Sequence, residues 1–202
     1  MSIMDAPFYA EFSTRSNFSF LEGASHPEEL AVTAMRLGHG ALGLADRNTV
    51  AGVVRAHMAA KEAKLAYHPG TRLVFADGTP DITAYPRNRA AWGRLCRLLT
   101  TGNLRGEKGA ADVRLEDLLE WGEGLNLAVM AGTGAPPDET SSVRLEPVQA
   151  LRAAFSKAVR LAAAPGFSFS DRHWLEMAAA DARACGVPLM AVNDVTCHTA
   201  SR

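Results

Sequence analysis

Apolar positions along this chain alternate between two textures. Short, nearly continuous apolar runs sit at 8–12, 41–45, 125–130, 158–163 and 187–192, and the stretches between them carry apolar residues three and four apart. The first texture suits buried strands and the second amphipathic helices. Phe8 to Phe12 is the first predicted strand. A helix follows from about Pro27 to Leu37, with Leu30, Ala31, Ala34 and Met35 on one face. Pro27 falls in its first turn, Ser25 with Glu28 forms a capping-box pattern, and Gly38 is the stop. Ala41 to Ala45 is the second strand, after which Asn48 or Thr49 caps a helix with Val50, Val53, Val54, His57 and Met58 on its inward stripe. Tyr67 to Gly70 breaks the pattern. Arg72 to Phe75 and Ile82 to Tyr85 are strands joined through an Asp77-Gly78 turn.

The second half continues the alternation. A helix spans about Asn88 to Thr100 with Ala91, Trp92, Leu95, Cys96 and Leu99 inward, and Gly102 to Gly109 is a polar loop. Leu115 to Trp121 is a short helix and Leu125 to Met130 a strand. Gly132 to Pro147 lacks periodicity and reads as a surface connection. Pro147 to Phe155 is a helix, Ala158 to Ala163 a strand, and Asp171 to Cys185 a helix closed by Gly186, with Trp174, Leu175, Met177 and Ala178 available for packing. Val187 to Val192 is the last strand. Strands alternating with helices mean βαβ units and a mainly parallel sheet. About seven strands suit a distorted, TIM-like βα barrel better than a small open sheet. No internal repeat interrupts the pattern.

Composition narrows the function classes. The chain has 202 residues, 48% of them hydrophobic, with 21 Lys plus Arg against 22 Asp plus Glu and a net charge of −1. That is the composition of an ordinary soluble globular protein, without the basic footprint of a stand-alone nucleic-acid binder. Cys96, Cys185 and Cys197 form neither a disulfide framework nor a CxxC zinc pattern, which points to a reducing cytoplasm. No signal-peptide pattern opens the sequence, and no apolar run has the length of a membrane span. Walker, GxGxxG and Ser-His-Asp arrangements are absent from the sequence. The loop leaving the first strand, where chemistry sits in parallel α/β proteins, carries Ser13 and Arg15 rather than imidazoles or carboxylates.

Four stretches together resemble a known family: YAEFSTRSNFSFLEGASHPEEL, ALGLADRNTVAGVVRAHMAAKEA, LVFADGTPDITAYPRNRAAWGRLCRLLTTGN and VPLMAVNDVTCH. They are similar to the N-terminal polymerase-and-histidinol-phosphatase (PHP) domain of bacterial C-family DNA polymerases, and most of all to its error-prone branch. The resemblance covers nearly the whole chain, residues 1–202, and implies one PHP domain of a longer polymerase. It also implies a distorted seven-stranded βα barrel, which agrees with the strand count; a barrel incomplete at its C-terminal end stays open. The palm, with its Mg²⁺-binding aspartates, would lie downstream of Arg202.

An active PHP domain resembles a metallophosphoesterase whose strand-end loops offer His, Asp and Glu to divalent ions. Carried over residue by residue, that pattern fails. The His-x-His after the first strand falls on Ser13 and Arg15, and the Asp-His after the second on Asp46 and Arg47. A Glu near the third strand falls on Arg72, and the final Asp-x-His falls on Asp194 and Thr196, with His198 two residues beyond. Arginine has no lone pair to ligate a metal, but it can hold carboxylates by paired hydrogen bonds. The expectation is that Arg15, Arg47 and Arg72 satisfy Asp46, Asp194 and Glu11, so that the site holds no metal and performs no catalysis. The opposing expectation leaves these arginines as solvent-facing loop residues.

Arg87, Arg89, Arg94 and Arg97 cluster near Trp92, with Arg105 and Lys108 beyond. They suit either a DNA-phosphate track or the solvated face of a helix. Phe18 and Phe20 are expected to anchor their loop into the barrel mouth rather than stack on bases. The resemblance thus implies a structural PHP domain within an error-prone polymerase engaged in DNA repair by translesion synthesis. The implied partners are DNA, the other polymerase domains and translesion accessory proteins, in the cytoplasm and without a membrane. The alternatives are an active phosphoesterase or 3′–5′ exonuclease with a rearranged site, and a free-standing interaction module.

Overall fold

The computed structural model describes residues 9–132, 141–166 and 171–201. Its seven strands form one sheet in chain order. By its internal contacts the chain divides into two compact units, residues 1–70 with 194–202, and 71–193.

The first unit holds β1 (Ala10–Thr14), α1 (Pro27–Arg36), β2 (Ala41–Arg47), α2 (Val53–Glu62) and the start of β3 (Ala66–Leu73). β1 and β2 pair in parallel, with a register shift between Glu11 and Thr14. Such a bulge re-aims the side chains at a strand end, here those leading into the first loop. The core of this unit is Leu30, Ala31, Ala34, Leu42, Leu44, Ala56, Ala60 and Leu65. Pro27 opens α1 as the spacing predicts, and Gly38 closes it with its amide on the Met35 carbonyl. The cap itself is offset by one residue: His26 is the N-cap and its amide donates to Glu29 Oε2 at 2.8 Å. Ser25 is buried and engaged elsewhere.

Three further expectations for this unit are corrected. α2 starts at Val53 with Gly52 as its N-cap, while Thr49 Oγ1 accepts from the Ala51 amide ahead of the helix. Asn48 takes a left-handed backbone, φ 47°, which turns the chain before the helix can begin. The inward face of α2 is Ala56 and Ala60, whereas Val54 and Met58 are 71% and 62% exposed. Small residues let α2 approach α1 closely, so packing overrides the hydrophobicity of the stripe. Tyr67 to Gly70 lies inside β3, whose ladder to the next strand begins only at Thr71.

The second unit contains β4 (Ile82–Pro86), α3 (Arg89–Arg105), α4 (Leu115–Trp121), β5 (Leu125–Met130), α5 (Leu145–Phe155), β6 (Val159–Ala163), α6 (Asp171–Ala184) and β7 (Leu189–Ala191). α4 and β5 have the predicted bounds. β4 is antiparallel to β3 and to β5, while β5, β6 and β7 pair in parallel. The Asp77-Gly78 turn precedes β4, with Gly78 at φ 80°. α3 runs past the predicted loop start at Gly102 because that glycine is buried against Val113. Farther along it, Arg105 donates to both Asp117 oxygens at 2.8 and 2.7 Å. α5 begins at Leu145, so Pro147 sits in its first turn, where a missing N–H is harmless. Half of the 132–147 connection, residues 133–140, lies outside the described residues, but Ser142 and Val143 are fully buried. None of the described helices is long and apolar enough to cross a membrane.

Candidate functional site

The loops at the ends of β1 and β2 and the segment from Asp194 onward meet within the first unit. Thr14 forms a parallel bridge with Val195, and the Arg15 amide donates to the Val195 carbonyl at 2.8 Å. The Ala24 amide reaches the Thr196 carbonyl at 2.8 Å. Three of the residues that shape this mouth, Leu21, Asn48 and Asp194, have positive φ angles of 62°, 47° and 51°. Asn and Asp adopt that conformation at little cost, whereas at Leu21 it is strained. Gly23 is a steric requirement of the same loop, since a Cβ there would lie 2.0 Å from the Ser16 carbonyl oxygen.

The carboxylates at the mouth are each engaged by protein donors. Ser13 Oγ donates to Asp194 Oδ1 at 2.7 Å, and Arg15 Nη2 to Asp194 Oδ2 at 3.0 Å. Arg15 Nη1 also donates to Glu22 Oε2 at 2.9 Å, and Arg47 Nη1 reaches the other oxygen of Glu22. Glu22 is therefore shared by two guanidinium groups. Burial pushes its carboxyl up, but the hydrogen bonds and charges of Arg47 and Arg15 outweigh that and hold it below the usual glutamate value.

Asp46, 1% exposed, accepts from the Ser16 amide and Ser19 Oγ on one oxygen, both at 2.7 Å, and from Ser16 Oγ on the other at 2.8 Å. Burial pushes the Asp46 carboxyl up, against the opposing serine hydrogen bonds and the charge of Arg15. Glu11 accepts from the Tyr9 hydroxyl at 2.6 Å and the Ser13 amide at 2.7 Å. The surviving histidine, His198, is pinned to Ser25, whose Oγ accepts from the His198 amide at 2.8 Å and contacts Nδ1 at 2.7 Å.

Ser13, Arg15, Asp46, Arg47, Asp194 and Thr196 are thus brought to one region of the first unit. Arg72 belongs to the second unit and donates through Nε to Asp81 at 2.8 Å. The sequence reading missed Glu22, Ser16 and Ser19. Two arginines converging on one loop were a signal that a further carboxylate should sit in it. Phe18 is half-buried with Arg55 5.9 Å from its ring centroid. Phe20 corrects the anchoring expectation: it is 82% exposed, because the serines rather than the aromatics fix the loop.

The proposed DNA-facing arginines lie on and before α3. Arg87 Nε donates to the Gly124 carbonyl at 3.2 Å and Arg94 Nε to the Glu123 carbonyl at 2.7 Å. Arg97 lies 5.7 Å from the Trp121 ring centroid, while Arg89 is exposed. Arg87 and Arg94 therefore brace the turn between α4 and β5, and Arg97 packs on the end of α4.

With the geometry described, comparison with known proteins defines the class. The profile of the PHP domain matches residues 11–165, and the chain belongs to that family. The fold agrees: a putative metal-dependent phosphoesterase from Bifidobacterium adolescentis superposes with a TM-score of 0.68 at 15% identity, covering 98% of this chain and 90% of that one. An amidohydrolase from Chromobacterium violaceum gives 0.58 at 18% identity, over 95% and 88% of the two chains. Among curated proteins, the chain is 56% identical over 196 residues to the error-prone DNA polymerase of Mesorhizobium japonicum and 50% identical over 190 residues to error-prone DNA polymerase 1 of Rhizobium meliloti. These matches cover 96% and 94% of this chain but 17% of each relative.

A divalent cluster of the PHP kind does not fit the residues at this mouth. Among the described residues, no group of three or more His, Cys, Asp or Glu is placed to hold a metal ion. The guanidinium of Arg15 lies between Glu22 and Asp194, so a fixed positive charge stands beside the carboxylates a cation would need.

Proposed function

We propose that this chain is the PHP domain of an error-prone DNA polymerase that copies damaged template, and that the domain is structural rather than catalytic. The observation that carries this is 56% identity to such a polymerase over 96% of the chain. The arginines at the mouth, at positions where the resemblance implies imidazoles, support the silent half of the proposal. Ion pairs through Arg15, Glu22, Arg47 and Asp194, together with the serine clamp on Asp46, do the cross-linking that divalent ions would do elsewhere. The partners are DNA, the remaining polymerase domains and translesion accessory proteins in the cytoplasm. Mg²⁺ acts at a palm encoded beyond these residues, not here.

The test uses the full-length polymerase. Primer extension with Mg²⁺ is expected, together with no 3′–5′ exonuclease or phosphoesterase activity in Mn²⁺ that depends on the PHP residues. Calorimetric Mn²⁺ binding that disappears in Asp46→Asn or Asp194→Asn, accompanied by loss of a hydrolytic activity, would replace this proposal with an active phosphoesterase.

A further inference from the structure

α2 is inverted relative to an ordinary surface helix. It buries its alanines, Ala56 and Ala60, and leaves its larger apolar residues outside, with Val54 71% and Met58 62% exposed. α1 contributes Val32 and Met35 beside them, the latter 41% exposed. Together with Ala59 and Ala63, these residues line an open groove of about 960 Å³ between the two helices. Each helix supplies its pair at the three- or four-residue spacing that forms a ridge, and two ridges flanking a groove make a seat for a third helix. Scattered apolar residues on a surface are ordinary, but a contiguous patch rimmed by polar groups marks an interaction site.

The rim says what kind of partner fits. Its charged groups are Glu28, Arg55, Lys61 and Glu62, two of each sign, and Arg55 Nε already donates to Glu28 Oε1 at 2.6 Å. A rim with no net charge, and with Arg55 already held by Glu28, offers little to a phosphate backbone. It suits an amphipathic helix that brings an apolar face. The source of that helix follows from length: the chain spans 17% of the curated relatives it matches, so five-sixths of such a polypeptide lies outside these residues.

We propose that the groove between α1 and α2 is the docking seat for an amphipathic helix from the remaining polypeptide of the same polymerase. This rests on the polymerase assignment above and adds the surface through which the PHP domain is held. Flexible methionines such as Met35 and Met58 suit an apolar seat.

Methionine oxidation in the full-length polymerase tests it, read by mass spectrometry after limited peroxide treatment. Met35 and Met58 should oxidise about ten-fold more slowly in the folded enzyme than in urea, alongside buried Met130 as the protected reference. A lysine-reactive cross-linker should join Lys61 to a residue beyond 202 of the same molecule. Val54→Glu with Met58→Glu should abolish that cross-link while leaving the fold intact by circular dichroism. Free oxidation of both methionines in the intact polymerase would overturn the proposal. So would Lys61 cross-links only between isotopically distinct copies, which would assign the groove to a dimer. If the reading frame past Arg202 encodes no polymerase, the assignment under Proposed function fails as well, and sequencing separates that outcome from an exposed groove on a genuine polymerase.

Discussion

Asp46 and Asp181 lie in different units of the molecule, yet serines hold both. Asp46 takes the amide and hydroxyl of Ser16 and the hydroxyl of Ser19; Asp181 takes the amide and hydroxyl of Ser142, both at 2.6 Å on one oxygen. Both are buried, at 1% and 7% exposure. They differ in position. Asp46 lies next to the end of β2, where the family resemblance implies a metal-site carboxylate, whereas Asp181 sits within α6 and fastens the segment leading to α5. A carboxylate clamped by an amide and hydroxyls staples a loop, since each donor would be costly to bury alone. The same device at Asp181 indicates that Asp46 does structural work of its own, independent of any metal.

The largest effect expected is from Gly23→Ala. Its Cβ would collide with the Ser16 backbone that carries the clamp, and a loss of about 4 kcal/mol in urea unfolding is expected; a near-neutral result would mean the loop closes without that approach. Asp46→Ala should come next, at about 3 kcal/mol, with Asp181→Ala at about 2 kcal/mol, because one of its three donors, Ser141 Oγ, keeps the Val143 carbonyl as a partner. If Asp46→Ala is harmless while Asp181→Ala is not, the parallel between the two sites breaks.

Asp46→Asn sharpens the comparison through pH. The folded-state pKa of Asp46 lies above its unfolded value, so the folded state holds the proton more tightly. Its contribution is full below the unfolded pKa and declines as pH rises through the ordinary aspartate range toward the folded value. The stability gap between wild type and Asp46→Asn should therefore shrink from acid to neutral pH, measured by urea midpoints across that range. Glu22 has the opposite sign, with its contribution present above the unfolded pKa and lost as pH falls through the folded one. The smallest effect belongs to Arg47→Ala. Its side chain is 50% exposed, and the change should cost no more than about 0.5 kcal/mol because water screens the pair.

Much of the fold was legible in advance. α4 and β5 carry local periodicity strong enough to fix their ends, and the Asp77-Gly78 turn needs only its own residues. The interior of β3 was not legible, because Pro69-Gly70 punctuates the sequence while the strand continues through it. At the site, Arg15 and Arg47 could be read off the sequence, at positions where the family resemblance implies imidazoles. The partner of both arginines could not, since Glu22 lies in a loop with no period.

The sequence by itself determined the alternation of strands and helices, the family, and the presence of fixed positive charge at the ends of the first two strands. Tertiary structure alone decided which carboxylate each cation met, which serines clamp Asp46, and which face of α2 turned inward. Periodicity is a property of neighbours along the chain. The pairing of Ser13 with Asp194 depends on how distant loops close, and the facing of α2 on how near α1 lets it come.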